Sequence, residues 1–329
     1  AIANAKLAAA KIVSDENAMR ATRGESLARE ALDRMGTRIA ELLVDVPGAD
    51  PVRRLLLMEM LDYYERFAAE IKNDLTLRED FAMTLAHAGR LQSELGDSEQ
   101  AIAALKRSES IYAELAGSVA ANDPVRLHWA TCQNNLAQAL VRAGKFEDAA
   151  RYFVRAMAIQ QALADQGNSF PLHRDAEISL AATLNNMGLL LMRTNATSEA
   201  ESYFVKSIER LQTLLIASHA KRLNGMTNDP ASLKLVAVQS NLAGLLMESE
   251  PERAIHHAGQ ALESQLNLLQ SNPSDAKIAG QTIVTLNTLG AAQFAMGRDA
   301  KAIETFEQAI ELGSQVVLRW PDHPNYRRD

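Results

Sequence analysis

The chain has 329 residues, 47% of them hydrophobic, with only 9 Pro and 16 Gly, and 34 basic against 41 acidic residues for a net charge of −7. The acidic balance excludes a global field that would draw in nucleic acid or an anionic membrane. The single cysteine, Cys132, excludes an internal disulfide and a multi-cysteine metal site. No run of about 20 apolar residues is present to span a bilayer.

The scarcity of Pro and the abundance of Ala and Leu predict helix throughout. Residues 1–46 carry a long helical pattern, with Leu27, Ala31, Leu32, Met35, Ile39, Leu42 and Leu43 at helical spacing. Val46-Pro47-Gly48-Ala49-Asp50-Pro51 ends it. Pro51 suits the first turn of a helix over 51–70 whose Leu55, Leu56, Met60, Leu61, Tyr64 and Phe67 form a face. We expect this helix to cap the chain's hydrophobic end, and Arg53-Arg54 to be solvated. Ala1 falls inside an apparent helix, so the chain reads as part of a longer protein.

From Leu77 the helices come in pairs, with units expected at 77–120, 124–167, 172–220, 230–271 and 274–318, and the start of a further unit at 319–329. One column of small residues aligns them: Gly89, Ala137, Gly188, Ala243 and Gly290. Where two helices cross, a side chain larger than Gly or Ala separates them, while Phe153, Phe204 and Phe306 fill the space beside the crossing. The fourth unit is one residue shorter at Glu250-Pro251, and Ala258 replaces the phenylalanine. A recurrent break, Asn122-Asp123-Pro124, Asn168-Ser169-Phe170-Pro171, Asn228-Asp229-Pro230 and Asn272-Pro273, offers a cap and a first-turn proline to each following helix.

This pattern, Leu-Gly/Ala in the first helix, Gly or Asn at the turn, then Ala, Phe and Ala in the second, resembles the tetratricopeptide repeat, particularly the longer form of kinesin light chains. The resemblance covers about three quarters of the chain. It implies an all-α, right-handed α-α superhelix, a solenoid of about five helix pairs with N-terminal capping helices. A narrower resemblance runs from Arg20 to Phe67. There Asp45-Val46-Pro47-Gly48 and Pro51-Val52-Arg53-Arg54 are similar to the region joining planctomycete-type membrane-anchored serine/threonine protein kinases to their repeats. It implies a kinase domain upstream in a parent protein, with these repeats on the extracytoplasmic side of a bacterial membrane. Without it, a cytoplasmic array is the expectation.

The search for chemistry finds no catalytic site, no metal site and no cofactor motif. Gly144-Lys145 lacks the glycine spacing of a phosphate loop, and His256-His257, adjacent on a helix, point about 100 degrees apart. Glu304, Glu307 and Glu311 fit a solvated helix face. Cys132 reads as a small buried residue.

The functional signal is a polar ladder. The alignment puts Asn134, Asn185, Ser240 and Asn287 in one column and Asn135, Asn186, Asn241 and Thr288 in the next. Asn inside a helix costs roughly 0.5 kcal/mol relative to Ala, so helix propensity does not account for the recurrence. Asn135, Gln138 and Arg142 share a face, and Asn186, Leu189 and Arg193 repeat that geometry. In tetratricopeptide arrays this face lines the concave groove, where amides hold a peptide main chain and arginine holds a carboxylate. The other reading of the same columns is that they hydrogen-bond between helices and set the angle from unit to unit.

The expected function is therefore a non-catalytic scaffold for a protein or peptide, with no nucleic acid and no membrane contact of its own. Two alternatives stand beside it. One is the regulatory region of a kinase parent; the other is an architectural module that self-associates through its first 45 residues.

Overall fold

The computed structural model describes residues 39, 43, 48–66, 75–117, 123–167, 172–219, 229–273 and 275–319. The long helix expected over 1–46, apart from Ile39 and Leu43, lies outside them, as does the start of a further unit expected at 319–329, apart from Arg319. The described residues form helices and turns, with no strand among them. The chain divides into two compact units, residues 1–84 and 85–329.

The first unit contains α1 (Asp50–Arg66) and the first part of α2 (Leu75–Glu94). The buried side of α1 differs from the expected one. Arg53, Leu57 and Met60 are buried, while Leu55 is exposed. Spacings of four and three put Arg53, Leu57 and Met60 on one face, so Arg53 is carried inward by its helix rather than solvated.

The second unit continues α2 and adds α3 (Ser98–Ala116), α4 (Asp123–Arg142), α5 (Phe146–Ala164), α6 (His173–Arg193), α7 (Thr197–His219), α8 (Pro230–Leu246), α9 (Pro251–Ser271), α10 (Ala276–Ala295) and α11 (Asp299–Arg319). Together with α2 these make five helix pairs, each packed on the next. The turn inside a pair has one repeated solution. Gly96, Gly144, Asn195 and Gly297 adopt positive φ angles of 87°, 74°, 59° and 67°. The next residue's N–H then reaches back five residues, as from Lys145 to the Leu140 carbonyl at 2.9 Å and from Ala196 to the Leu191 carbonyl at 2.9 Å. This satisfies carbonyls the helix end leaves open. The shortened fourth unit does without it: Glu250 N–H bonds the Leu246 carbonyl at 2.8 Å, and Pro251 starts α9.

The small-residue column lies at the crossings. A Cβ added to Gly188 would sit 2.6 Å from the Phe204 ring, one on Gly290 2.8 Å from Phe306, and one on Gly89 2.6 Å from Leu105 Cγ. In the fourth pair Ala243 and Ala258 are both fully buried, and Leu289 from the following helix joins them. The core is continuous from pair to pair: Phe204, Ile208 and Leu211 of α7 pack with Val238, Leu242 and Leu246 of α8.

Side-chain caps close two of the connections between pairs, whereas α6 starts after Leu172 with no side-chain cap, so the break at 168–171 does not supply the one expected there. Asp229 accepts from the Ala231 N–H at 3.0 Å with Pro230 in the first turn of α8, as the break motif implies. At the last break the motif misplaces the start. Asn272 ends α9, and the cap of α10 is Asp275, which accepts from Ile278 N–H at 2.9 Å. Asn272 is taken up by the end of α9, so the next capping side chain, Asp275, starts the following helix.

Candidate ligand-binding groove

The first helices of successive pairs, α4, α6, α8 and α10, approach one another directly, whereas the second helices are held apart. The layer of first helices is therefore the inner, concave one, and its exposed face is the groove. On the outer side long side chains span from pair to pair: Arg210 on α7, which also holds Glu177 within its own pair, donates to Gln161 Oε1 on α5 at 2.6 Å, and Arg253 on α9 reaches Glu201 on α7 at 2.6 Å.

The Asn columns lie in this inner layer, and they bond to each other across helices. Asn186 Nδ2 donates to Asn134 Oδ1 at 3.0 Å, and Asn241 Nδ2 donates to Asn185 Oδ1 at 2.8 Å. Each rung joins the second-column residue of one unit to the first-column residue of the unit before. The next rung changes register. Ser240 pairs with Thr285 at 3.0 Å, Thr288 turns back to its own helix at the Val284 carbonyl, and Asn287 is exposed. Asn134, Asn185, Asn186 and Asn241 thus each spend at least one polar atom on holding the helices in register.

Beside the rungs a cavity of about 320 Å³ opens between α4, α6 and α8. Asn134, Asn135, Gln138, Asn185 and Asn186 line it, with Gln160 from α5 and Lys234 from α8. Arg142 and Arg193 do not. Arg142 donates to Ser93 Oγ of the preceding pair at 2.8 Å, and Arg193 is exposed at the end of α6. Leu189 is exposed, while Met192 and Met247 pack against the core.

Two groups in the cavity escaped the sequence reading. Gln160 is buried, and its Oε1 has no hydrogen-bond partner among the described residues. An acceptor left in that state costs about 1 to 3 kcal/mol, so the site is short of a donor. Lys234 reaches water yet is hemmed in by protein, and burial, followed by the charges of Lys277 and Arg90, holds its ammonium below the usual lysine range. Its signal in the sequence is the seven-residue step to Asn241, which puts both on one face of α8. Arg90 stands one residue after Gly89, as Gln138 stands one after Ala137, so it occupies the same groove column.

Elsewhere the titratable groups are structural. Cys132 is buried, donates to Ser108 Oγ at 3.2 Å, and has its thiol pushed up to about 12 by burial. His256 and His257 meet edge to face, and no cluster of metal-ligating side chains occurs among the described residues. No described helix is long and apolar enough to cross a membrane.

Two tetratricopeptide-repeat profiles match the chain, one over residues 129–167 and 180–220 and the other over 84–114 and 284–313. Among solved structures, the chain is similar to the putative kinesin light chain repeats of Podosopora anserina, with 19% identity, 70% of this chain and 94% of that one covered, and a TM-score of 0.41. It is also similar to a signal-transduction ATPase with numerous domains from Pyrococcus horikoshii that has a tetratricopeptide-repeat sensor. That match has 13% identity, covers 89% of this chain and 36% of that one, and has a TM-score of 0.52. A Rap protein complexed with competence and sporulation factor matches at 12% identity, 82% and 66% coverage and a TM-score of 0.49. No curated protein matches the chain.

Proposed function

The chain is a tetratricopeptide-repeat protein, and from that premise we propose that its concave groove binds an extended peptide segment of a partner protein. The observation that carries this reading is the cavity between α4, α6 and α8. It presents two amides outside the rungs, Asn135 and Gln138, a buried acceptor short of a donor, Gln160, and one lysine. An extended peptide offers an N–H and a carbonyl at each residue, which a side-chain amide matches with its own donor and acceptor. Gln160 Oε1 takes a peptide N–H, and Lys234 takes an acidic side chain or a terminal carboxylate. The rungs keep α4, α6 and α8 at the spacing these contacts need.

The test starts from peptides selected out of a random displayed library on the intact chain, with affinities then measured by fluorescence anisotropy. Asn135→Ala combined with Gln138→Ala should weaken binding by about tenfold or more, since two hydrogen bonds at about 1 kcal/mol each are lost, and should leave the melting temperature unchanged. Asn186→Ala should lower the melting temperature, because Asn134 loses its donor. Equal affinity for the double variant and the parent chain would refute the groove assignment.

For the parent polypeptide, the resemblance of residues 20–67 supports a second reading, in which the array is the ligand-binding part of a membrane-anchored serine/threonine kinase. Sequencing upstream of Ala1 tests it. A Gly-rich loop with catalytic HRD and DFG motifs is expected, and a frame without them ends that reading.

A further inference from the structure

We infer, on the premise that the groove binds a peptide, that this peptide is phosphorylated and that the cavity between α4, α6 and α8 receives its phosphate group, with Asn135 and Lys234 as the selecting donors.

The side-chain amides of the inner layer are linked head to tail. Asn241 Nδ2 donates to Asn185 Oδ1 at 2.8 Å, Asn185 Nδ2 to Asn186 Oδ1 at 3.4 Å, Asn186 Nδ2 to Asn134 Oδ1 at 3.0 Å, and Asn134 Nδ2 to Asn135 Oδ1 at 3.5 Å. The bonds between helices are the short ones. All four run in the same direction, from α8 through α6 to α4, so the amide dipoles add and each bond polarises the next. Every oxygen from Asn185 to Asn135 has received an N–H, whereas each nitrogen carries two hydrogens and has given at most one to its neighbour. Hydrogens are left over along the row. The donor end is Asn135, which accepts from Asn134 and passes no bond on among the described residues. Asn134, Asn135, Asn185 and Asn186 all line the cavity, so the surplus of donors lies on its wall.

Charge adds to this. Among the described residues no carboxylate lines the cavity, and its one charged side chain is Lys234. Burial acts most on that ammonium, and the positive charges of Lys277 and Arg90 act on it next. Arg90 is paired with Glu94 at 3.1 Å, but that pair is partly exposed and screened by water. A donor-rich, cationic cavity is matched by a group with several acceptor oxygens and more than one negative charge. A carboxylate brings two oxygens and a single charge. A phosphorylated serine brings three acceptor oxygens and a charge of about −1.5 to −2, enough to answer Lys234 and offset the neighbouring cations. Gln160 separates a phosphopeptide from a phosphate ion. Its buried Oε1 has no partner and needs a donor, which the backbone N–H of a peptide supplies and a phosphate dianion does not.

The probes are short peptides of degenerate sequence with phosphoserine at the centre, screened on the intact chain beside the same set carrying serine and the same set carrying glutamate. Sequences recovered from any set are made in all three forms, and their affinities are measured by fluorescence anisotropy. The phosphoserine form should bind about tenfold or more tighter than the other two. Lys234→Gln should erase that advantage and leave the affinity of the serine form unchanged. Inorganic phosphate at the peptide's own concentration should not displace the phosphopeptide. Equal affinity of the three forms would overturn the inference and leave peptide binding in the groove standing. An advantage that survives Lys234→Gln would overturn it by placing the phosphate elsewhere. Displacement by inorganic phosphate at matched concentration would overturn it as well, since the cavity would then be a site for the free ion. Recovery of no peptide from any set would remove the peptide reading itself, and the inference with it.

Discussion

Gly188 and Gly259 are both helical glycines, and they should respond oppositely to alanine. Alanine in place of glycine in a helix gains about 0.5 to 1 kcal/mol, whereas overpacking a core costs about 1 to 3 kcal/mol. At Gly188 the added carbon would press on Phe204, which is fully buried and has no room to swing away. Gly259 has open space at the same place. Gly188→Ala should therefore lower the melting temperature and Gly259→Ala raise it, by circular dichroism melts on the same day's preparations. The reverse order would remove Gly188 from the crossing. The crossing pairs were legible in the sequence because one aligned column carried them. The rungs were only half legible. Asn134, Asn185, Asn135 and Asn186 stood out as columns, but which residue meets which depends on how neighbouring helices slide past each other, and no spacing within one helix records that. Lys234 was illegible as a site because a single lysine on a helix surface is ordinarily solvated.

Lys234 yields a prediction whose sign follows from its surroundings. Burial and the charges of Lys277 and Arg90 lower its proton affinity in the folded chain relative to the unfolded one. The folded state therefore binds this proton less well, and the lysine's charge opposes folding at pH values below its lowered range. The penalty is relieved as pH rises from that range to the ordinary lysine value. Lys234→Gln should thus keep or raise the melting temperature at neutral pH, with the gap from the parent chain closing in alkaline buffer. Binding of a selected acidic peptide should weaken in the same variant. A variant that melts earlier and binds as before would show that Lys234 serves packing alone.

At the scale of the element, the helix starts show where local motif and tertiary context part. Asp229 has two roles, capping α8 at the Ala231 N–H and accepting from Arg174 at 2.6 Å across a pair boundary. Loss of a cap costs about 1 kcal/mol, and the ion pair adds roughly as much once its half-exposed arginine is discounted for water. Asp229→Ala should cost about 2 kcal/mol in urea unfolding, and Asp229→Asn, which keeps a capping acceptor, about half of that. Equal effects of the two substitutions would assign the whole contribution to the charge. The cap was legible because Asp-Pro is a local signal. The Arg174 contact, 55 residues away in sequence, was not. The inward turn of Arg53 was missed for a related reason: a helix's buried face is set by what lies opposite it, and two phases of α1 both offered apolar residues.

Over the whole molecule, a repeat array has no single centre, so its function rests on which of its surfaces is used. The concave layer carries the rungs, the cavity and Lys234; the second helices carry solvated carboxylates and scattered apolar residues such as Val154, which is exposed on α5. Placing a benzophenone side chain at position 138 in one preparation and at position 154 in another, then irradiating each with a groove-selected peptide, distinguishes the two surfaces in a single experiment. The account predicts a crosslink from position 138, suppressed by excess unlabelled peptide, and none from position 154. A competable crosslink from position 154 alone would contradict it.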